Sequence, residues 1–295
     1  MESISAYLVG AFAFVFGLII GSFLNVVIYR IPKRESIVFP GSRCPACNTA
    51  IKPFDNIPVF SYMLLGGKCR NCGKSISPIY PAVELLVGVL YFLAFIKVAN
   101  QFQIFQTEYD QWPARFWLTL IGDILFISFI VPLVFIDYRY KLLPNVITYP
   151  GFVILLVMRL LAPDPWLLAH TPKLFGVTGQ PEWPLALVGS LLGALIGGGS
   201  LWLVREAYYR LRRVEGMGVG DIKMMMMVGA YLGWHLTLLT IFIGSLLGSI
   251  VGIMLIARSR GGMKTELPFG VFLGPAAIVA LFTGQALIMW YIGML

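Results

Sequence analysis

The chain has 295 residues, of which 58% are hydrophobic and 12% are charged. This composition argues against a soluble globular protein and predicts a membrane protein. In such a protein the chain length limits the number of transmembrane helices. A formal charge of +8 raises the question of a nucleic-acid partner. Eighteen of the 22 Lys and Arg, however, lie in four alternate connections between apolar segments, at residues 30–74, 137–141, 205–223 and 258–264. Membrane topology explains that distribution, so we expect no nucleic-acid partner.

The apolar segments predict about eight transmembrane helices. Charge-free runs cover residues 6–29, 184–204, 224–257 and 267–295, and weaker candidates cover residues 81–98, 116–136 and 146–161. One bilayer crossing takes about 20 residues. The run of 34 residues at 224–257 therefore predicts two crossings, with a turn near Gly233. The fold class is predicted to be an all-α polytopic membrane protein in contact with lipid, with the N-terminus outside and the basic connections in the cytoplasm.

The first predicted helix carries small residues and one amide. Gly10, Gly17 and Gly21 are spaced for close packing against another helix. Asn25, near the cytoplasmic end, is expected to form an interhelical hydrogen bond.

A polar, basic and proline-rich stretch at residues 30–79 contains all four cysteines. Cys44 and Cys47 form one C-x₂-C pair, Cys69 and Cys72 form a second, and 21 residues separate the pairs. This spacing is close to that of a tetrahedral zinc site, and four thiolates would leave no open position for a water molecule. Two disulfides are the alternative, which a cytoplasmic location disfavours. We therefore expect a small cytoplasmic domain stapled by structural zinc.

Acidic residues inside predicted spans are candidates for function because a buried charge in a membrane is costly. Glu84 lies near the cytoplasmic end of its helix and could serve a site. Asp123 lies closer to the outer end, where a structural polar contact is the expected role.

The motif at residues 216–223 places Asp221 after Gly216, Gly218 and Gly220 and before Met224, where an apolar run begins. Glycine permits close backbone approaches that side chains forbid. Asp137 ends another apolar segment, and the predicted topology puts both acids at the same membrane face. An ion pair of Asp137 with Arg139 or Lys141 is the structural alternative.

Two neighbouring aspartates can hydrolyse a peptide bond because like charges a few ångströms apart do not both ionise cheaply, so that one acts as acid and the other as base towards a bound water. The alternatives that need histidine are disfavoured, because His170 and His235 are the only histidines and both are predicted at the outer side. The sequence thus favours an aspartyl protease with Asp137 and Asp221 as its pair.

Five motifs follow one another along the chain: residues 21–32, the two cysteine pairs, residues 80–85, Asp137 with residues 143–144, and residues 218–223. Together they resemble the type IV prepilin peptidases, a family of membrane aspartyl proteases with a Gly-x-Gly-Asp motif. The resemblance implies a bacterial inner-membrane enzyme that removes the basic leader from prepilins and pseudopilins at the cytoplasmic face. It implies that Asp137 and Asp221 are catalytic, with Gly218, Gly220, Lys223 and Glu84 in supporting positions. Members with the four-cysteine loop usually also methylate the new N-terminus with S-adenosylmethionine, and the loop and the surroundings of Glu84 are where a donor site is expected.

One departure from the family pattern lies at Asn145, where many members carry Asp, so this position supplies no carboxylate here. Lys223 could tune the acid pair or bind a substrate carboxylate; a lysine that extends to the membrane surface is the alternative. Other functions considered are a different Gly-x-Gly-Asp membrane protease and a transporter with buried acids, although no internal repeat supports the latter. The predicted domains are residues 1–29, 30–79 and 80–295; the oligomeric state is not predicted.

Overall fold

Helices make up most of the computed structural model, which describes residues 2–107, 111–175, 182–214, 217–258 and 268–294. The described part forms two compact units, Met1–Phe116 and Trp117–Leu295. Their helices, in chain order, are α1 (Glu2–Arg30), α2 (Phe60–Leu64), α3 (Ile79–Gln101), α4 (Ala114–Tyr140), α5 (Asn145–Leu161), α6 (Pro165–Phe175), α7 (Glu182–Arg212), α8 (Val219–Arg258) and α9 (Gly270–Ile292). No β-strand occurs in the described ranges.

In the first unit, α1 and α3 pack as an antiparallel pair through small residues. A Cβ at Gly17 would lie 2.8 Å from the Cα of Gly88, and one at Gly21 would lie 2.7 Å from the Cα of Glu84. Asn25 Nδ2 donates a hydrogen bond of 3.0 Å to the carbonyl of Tyr80. The predicted close packing of the α1 glycines and the interhelical hydrogen bond of Asn25 are both confirmed.

The predicted boundaries at residues 29 and 79 both fall inside this first unit, which includes α3. Residues 34–78 connect α1 to α3 through loops, a short 3₁₀ turn and α2. The division of the chain at residues 29 and 79 stays a prediction.

In the second unit, α8 breaks at Gly233, where φ is 77° and ψ is 173°. Only glycine adopts this backbone conformation readily. The 40 residues of α8 would span about 60 Å as a straight helix, twice the thickness of a bilayer core. The break divides α8 into a first arm before Gly233 and a second arm after it.

The two arms of α8 fold back against α7. A Cβ at Gly197 would contact the carbonyl oxygen of Met225 and lie 2.9 Å from Cγ2 of Thr237. Twelve positions separate Met225 from Thr237, which corresponds to about 18 Å along a straight helix. Both residues meet the same glycine only if the chain reverses between them, so the predicted turn near Gly233 is confirmed.

A buried arginine fills the turn. Arg159 Nε donates a hydrogen bond of 2.7 Å to the carbonyl of Tyr231, a group that the break at Gly233 removes from the regular helical pattern. The Tyr231 hydroxyl donates to Asp123 Oδ1 at 2.8 Å, and Arg159 Nη1 lies 3.7 Å from Asp164. Asp123 thus forms the structural polar contact expected of it.

Six helices are long and apolar enough to cross a membrane, or up to seven if α5 and the start of α6, which meet at 85°, count as one broken span. The described residues thus offer six or seven crossings, against about eight predicted, because the arm of α8 before Gly233 is shorter than one full crossing. The predicted all-α polytopic membrane fold is confirmed.

The crossing of α7 and α8 generates a stability prediction. A Cβ at Gly193 would overlap the carbonyl oxygen of Gly229, whereas a Cβ at Gly199 on the same helix would meet nothing within 4 Å. We expect Gly193→Ala to destabilise the protein by about 1–3 kcal/mol or more through overpacking. Gly199→Ala should be neutral or stabilising by up to about 1 kcal/mol, because alanine favours a helix. Thermal unfolding of both purified variants in detergent measures the difference, and equal melting temperatures would contradict the close crossing.

Candidate functional site

Asp137 and Asp221 lie together, in the last turn of α4 and the first turn of α8. Both are buried, with exposed fractions of 5% and 6%. From the position that a Cβ of Gly270 would occupy, Asp137 Oδ2 is 2.7 Å away and Asp221 Oδ1 is 3.4 Å away. The two oxygens can therefore be no farther apart than the sum of these two distances. The sequence predicted only that these acids share a membrane face; the structure places them around one glycine.

The start of α8 orients Asp221. The helix begins at Val219, so Gly218 is the residue before it and Asp221 is its third residue. The backbone N–H of Gly218 approaches the Asp221 carboxylate. An acid at this position often reaches back to the residue preceding the helix, because the first N–H groups have no partner within it. The local sequence thus sets the direction of this carboxylate.

Gly220 allows α8 to approach the turn between α4 and α5. A Cβ on Gly220 would lie 2.8 Å from Cβ of Leu143, closer than such atoms pack. A Cβ on Gly218 would lie 3.6 Å from Asp221 Oδ2, an ordinary contact. The sequence motif suggested close approach at all three of its glycines; the structure requires it at Gly220, and Gly216 lies outside the described residues.

The start of α9 forms the third side of the pair, and the sequence did not identify it. The backbone N–H groups of Gly270 and Val271 approach the Asp137 carboxyl group, and that of Gly270 also approaches Asp221. A side chain at Gly270 would collide with Asp137 Oδ2. The only sequence signal was a glycine at the start of an apolar run, in a chain with 31 glycines.

Two carboxylate oxygens at the centre of the site have no protein partner. Asp137 Oδ2 and Asp221 Oδ1 are buried and accept no hydrogen bond from the described residues. Arg139, the alternative partner of Asp137, lies 5.6 Å over the ring of Tyr140. A buried polar atom without a partner is costly. Two such oxygens on neighbouring acids could share a proton and hold a water molecule between them.

Lys223 lies two residues beyond Asp221 and contacts the start of α5. Its Nζ donates a hydrogen bond of 2.9 Å to Asn145 Oδ1 and lies 5.1 Å from the centroid of the Tyr149 ring. Lys223 is half-buried, whereas Asn145 and Tyr149 are exposed. The side chain therefore reaches a defined polar partner at the edge of the site.

Glu84, in α3 of the first unit, connects this helix to a loop through a hydrogen bond. Its Oε2 accepts a hydrogen bond of 2.7 Å from the backbone N–H of Val59, which precedes α2 and has a φ of 60°. Ser22 also approaches this carboxylate. Through the bond to Val59, Glu84 supports the loop at residues 53–64.

The four cysteines form a separate cluster in the first unit. Their sulfur atoms all lie within 4.8 Å of one another, with Cys44 and Cys72 at 3.9 Å and Cys47 and Cys69 at 4.0 Å. A tetrahedral metal with bonds of about 2.3 Å to sulfur places its ligands roughly 3.8 Å apart. All four cysteines are free, which disfavours the disulfide alternative, and together they could hold a metal ion.

Both halves of this cluster have the same local fold. The N–H of Cys44 bonds to the carbonyl of Thr49, and the N–H of Cys69 bonds in the same way to that of Lys74. The side-chain hydrogen bond from Thr49 lowers the pKa of Cys47 to about 6, and backbone N–H groups at Cys72 and Asn71 lower the pKa of Cys69. These contacts favour the thiolate form that binds metal at Cys47 and Cys69. Burial and the neighbouring thiols instead raise the pKa of Cys72 to about 11.

A groove of about 600 Å³ between α1 and the loop residues of the first unit is large enough to be considered for the methyl donor. Val15, Ile19 and Phe23 form part of its apolar wall, and Ser22, Arg30, Ser42 and Asn56 are its polar residues. It has no carboxylate to pair with the ammonium and sulfonium charges of S-adenosylmethionine. The groove therefore does not fit the donor, and Glu84 is held by the loop instead.

Comparison with known proteins covers nearly the whole chain. Residues 15–98 match the bacterial peptidase A24 N-terminal domain, and residues 124–253 match the type IV leader peptidase family. A prepilin leader peptidase/N-methyltransferase of Pseudomonas aeruginosa is 34% identical, over 94% of this chain and 91% of the relative. Proteins of the same name from Aeromonas hydrophila and Legionella pneumophila are 32% and 31% identical, each over 92% of the relative and over 95% and 94% of this chain. No solved structure matches the chain.

Identity at this level extends over almost the full length of each of these relatives. The chain belongs to the type IV leader peptidase family.

Proposed function

We propose that this protein is a membrane aspartyl endopeptidase that removes the leader peptide from type IV prepilins and pseudopilins, and that it also methylates the new N-terminus. The observation that carries the peptidase assignment is the pair of buried carboxylates, Asp137 and Asp221, which meet at Gly270 with one unpartnered oxygen each. The names of the relatives support both activities.

In the proposed reaction, one carboxylate of the pair is ionised and the other is protonated. The ionised group takes a proton from a water molecule as that water attacks the scissile carbonyl. The protonated group donates a hydrogen bond to the developing oxyanion and then a proton to the leaving amine. Backbone N–H groups of Gly270, Val271 and Gly218 approach the carboxyl groups and can orient them.

We infer a bacterial inner-membrane location with the N-terminus outside and the acid pair facing the cytoplasm. The supporting observation is the placement of basic residues in alternate connections; Arg30 and Arg205, for example, lie near the same predicted face. In this orientation the four cysteines lie in a reducing compartment, where zinc is the metal that such a ligand set favours. S-adenosylmethionine would supply the methyl group.

The aspartate pair gives the first test of function. Asp137→Asn and Asp221→Asn should each lower the rate of prepilin cleavage by about a thousandfold or more, because neither amide can take part in proton transfer. Asp123→Asn is the matched control: it changes another buried acid of α4 whose oxygen accepts a hydrogen bond from Tyr231, and an amide oxygen can do the same. Cleavage of a co-expressed prepilin, followed by mass spectrometry, measures all three.

The same spectra also show whether a methyl group is added to the new N-terminus. A folded, membrane-inserted Asp137→Asn or Asp221→Asn variant that cleaves at the wild-type rate would refute the catalytic pair.

The glycines of the motif give a second test. Gly220→Ala should push the start of α8 away from Leu143 and lower kcat/KM by about tenfold or more, since a displacement of an ångström can cost a hundredfold. Gly218→Ala has room for its methyl group and should retain most of the activity. If the two variants lose activity equally, the contact with Leu143 does not set the geometry of the pair.

The cysteine cluster gives a third test. The purified protein should contain about one zinc ion per chain, and Cys44→Ser should lower that content and expose the remaining thiols to labelling. Lys74→Ala, which changes an exposed side chain in the second cysteine loop, is the control and should keep the metal. Peptidase activity should fall much less than in the aspartate variants. A fully metal-free wild-type protein with protected thiols would refute the zinc site.

A further inference from the structure

Lys223 is a cation whose partners among the described residues are neutral. Its Nζ binds the amide oxygen of Asn145 and lies over the ring of Tyr149. No carboxylate among the described residues lies within ion-pair distance of it, in contrast to Arg70, Arg159 and Arg210, each of which pairs with an acid. The charge of Lys223 therefore remains available to a ligand.

Asn145 is oriented by this contact. An ammonium group only donates hydrogen bonds, so the atom of Asn145 that faces it must be the amide oxygen. The amide nitrogen, with its two hydrogens, is then directed away from that oxygen, and the exposed position of Asn145 leaves it accessible. Lys223 and Asn145 together present one charged donor and one neutral donor, and a carboxylate can accept a hydrogen bond from each.

These two residues lie on the segments that form the acid pair. Lys223 follows Asp221 by two positions in α8, and Asn145 follows Leu143, the residue that contacts Gly220, by two positions. Side chains two positions apart on a helix point to opposite sides, so Lys223 faces α5 whereas Asp221 faces α4 and α9. A ligand held by both donors would thus lie at the level of Asp221 along α8, on its α5 side. An extended peptide advances about 3.3 Å per residue, so a few residues join that position to the acid pair.

We propose that Lys223 and Asn145 form a binding site for an acidic side chain of the substrate peptide, within a few residues of the scissile bond. This inference rests on the proposed peptidase function and deepens it, because it assigns residues that determine substrate specificity. Neither residue takes part in proton transfer; their effect is on substrate binding and register.

An aspartate at position 145 would remove the anion site. It would neutralise Lys223 internally and add a second negative charge that repels an acidic ligand. The neutral amide of this chain holds the ammonium group in place while leaving its charge uncompensated.

The test is a two-way comparison of enzyme and substrate variants in detergent micelles. The probe is a prepilin peptide with an acidic residue near the scissile bond, compared with peptides in which each acid in turn is replaced by its amide. Lys223→Met and Asn145→Asp should raise KM for the acidic peptide by about ten- to a hundredfold, the loss expected for a charge-assisted hydrogen bond, with little change in kcat. Neither variant should change KM for the peptide whose relevant acid has been replaced.

A charge exchange separates recognition from a structural effect. Lys223→Glu should cleave the acidic peptide poorly and should recover with a peptide that carries lysine at the acidic position. Lys141→Met, which removes a neighbouring lysine of the α4–α5 turn that does not bind Asn145, is the control for net charge and should behave like the wild type.

Equal losses with acidic and amide peptides, or no recovery in the charge exchange, would overturn the proposal. A KM effect that follows the content of anionic lipid in the micelles, and not the acid of the peptide, would assign the site to a lipid headgroup and would equally overturn it. Failure of the wild-type enzyme to cleave any prepilin peptide would refute the proposed function itself, which distinguishes the two conclusions.

Discussion

The contact of Gly220 with Leu143 determines how close the two aspartates can come. Asp137 lies at the end of α4 and Asp221 at the start of α8, so their separation depends on how closely α8 approaches the turn that follows α4. With no side chain at Gly220, the helix rests directly on Cβ of Leu143. The same approach brings Lys223 to Asn145. One close contact between backbone and side chain thus sets both the acid pair and the donors at its edge.

The other end of α8 is fixed by different means. Gly233 breaks the helix, and Arg159 binds the Tyr231 carbonyl beside the break and pairs with Asp164. An unpaired carbonyl in a membrane interior is costly, so a buried arginine with two partners stabilises a turn that helical hydrogen bonds cannot complete. Both arms of α8 pack against small residues of α7, which allows the backbones to approach closely. The turn and this packing hold the first arm, and with it Asp221, in position.

The sequence predicted the features that depend on local pattern and missed those that depend on tertiary contact. Charge-free runs located the spans, and the excess length of one run indicated the turn at Gly233, because the thickness of a bilayer limits a single crossing. The cysteine spacing predicted a cluster that the structure contains. Gly270 could not be found in this way, since its role arises from two carboxylates carried by other helices. The difference between Gly218 and Gly220 depends likewise on Leu143, which lies far away in the sequence.

The neutral side chain at position 145 leaves the positive charge of Lys223 unmatched at the edge of the site. Lys223 donates its hydrogen bond to the amide oxygen of Asn145, and no carboxylate of the described residues lies within ion-pair distance of its ammonium group. An aspartate at position 145 would match that charge within the protein. In this chain the charge is therefore available for substrate binding, whereas proton transfer remains with Asp137 and Asp221.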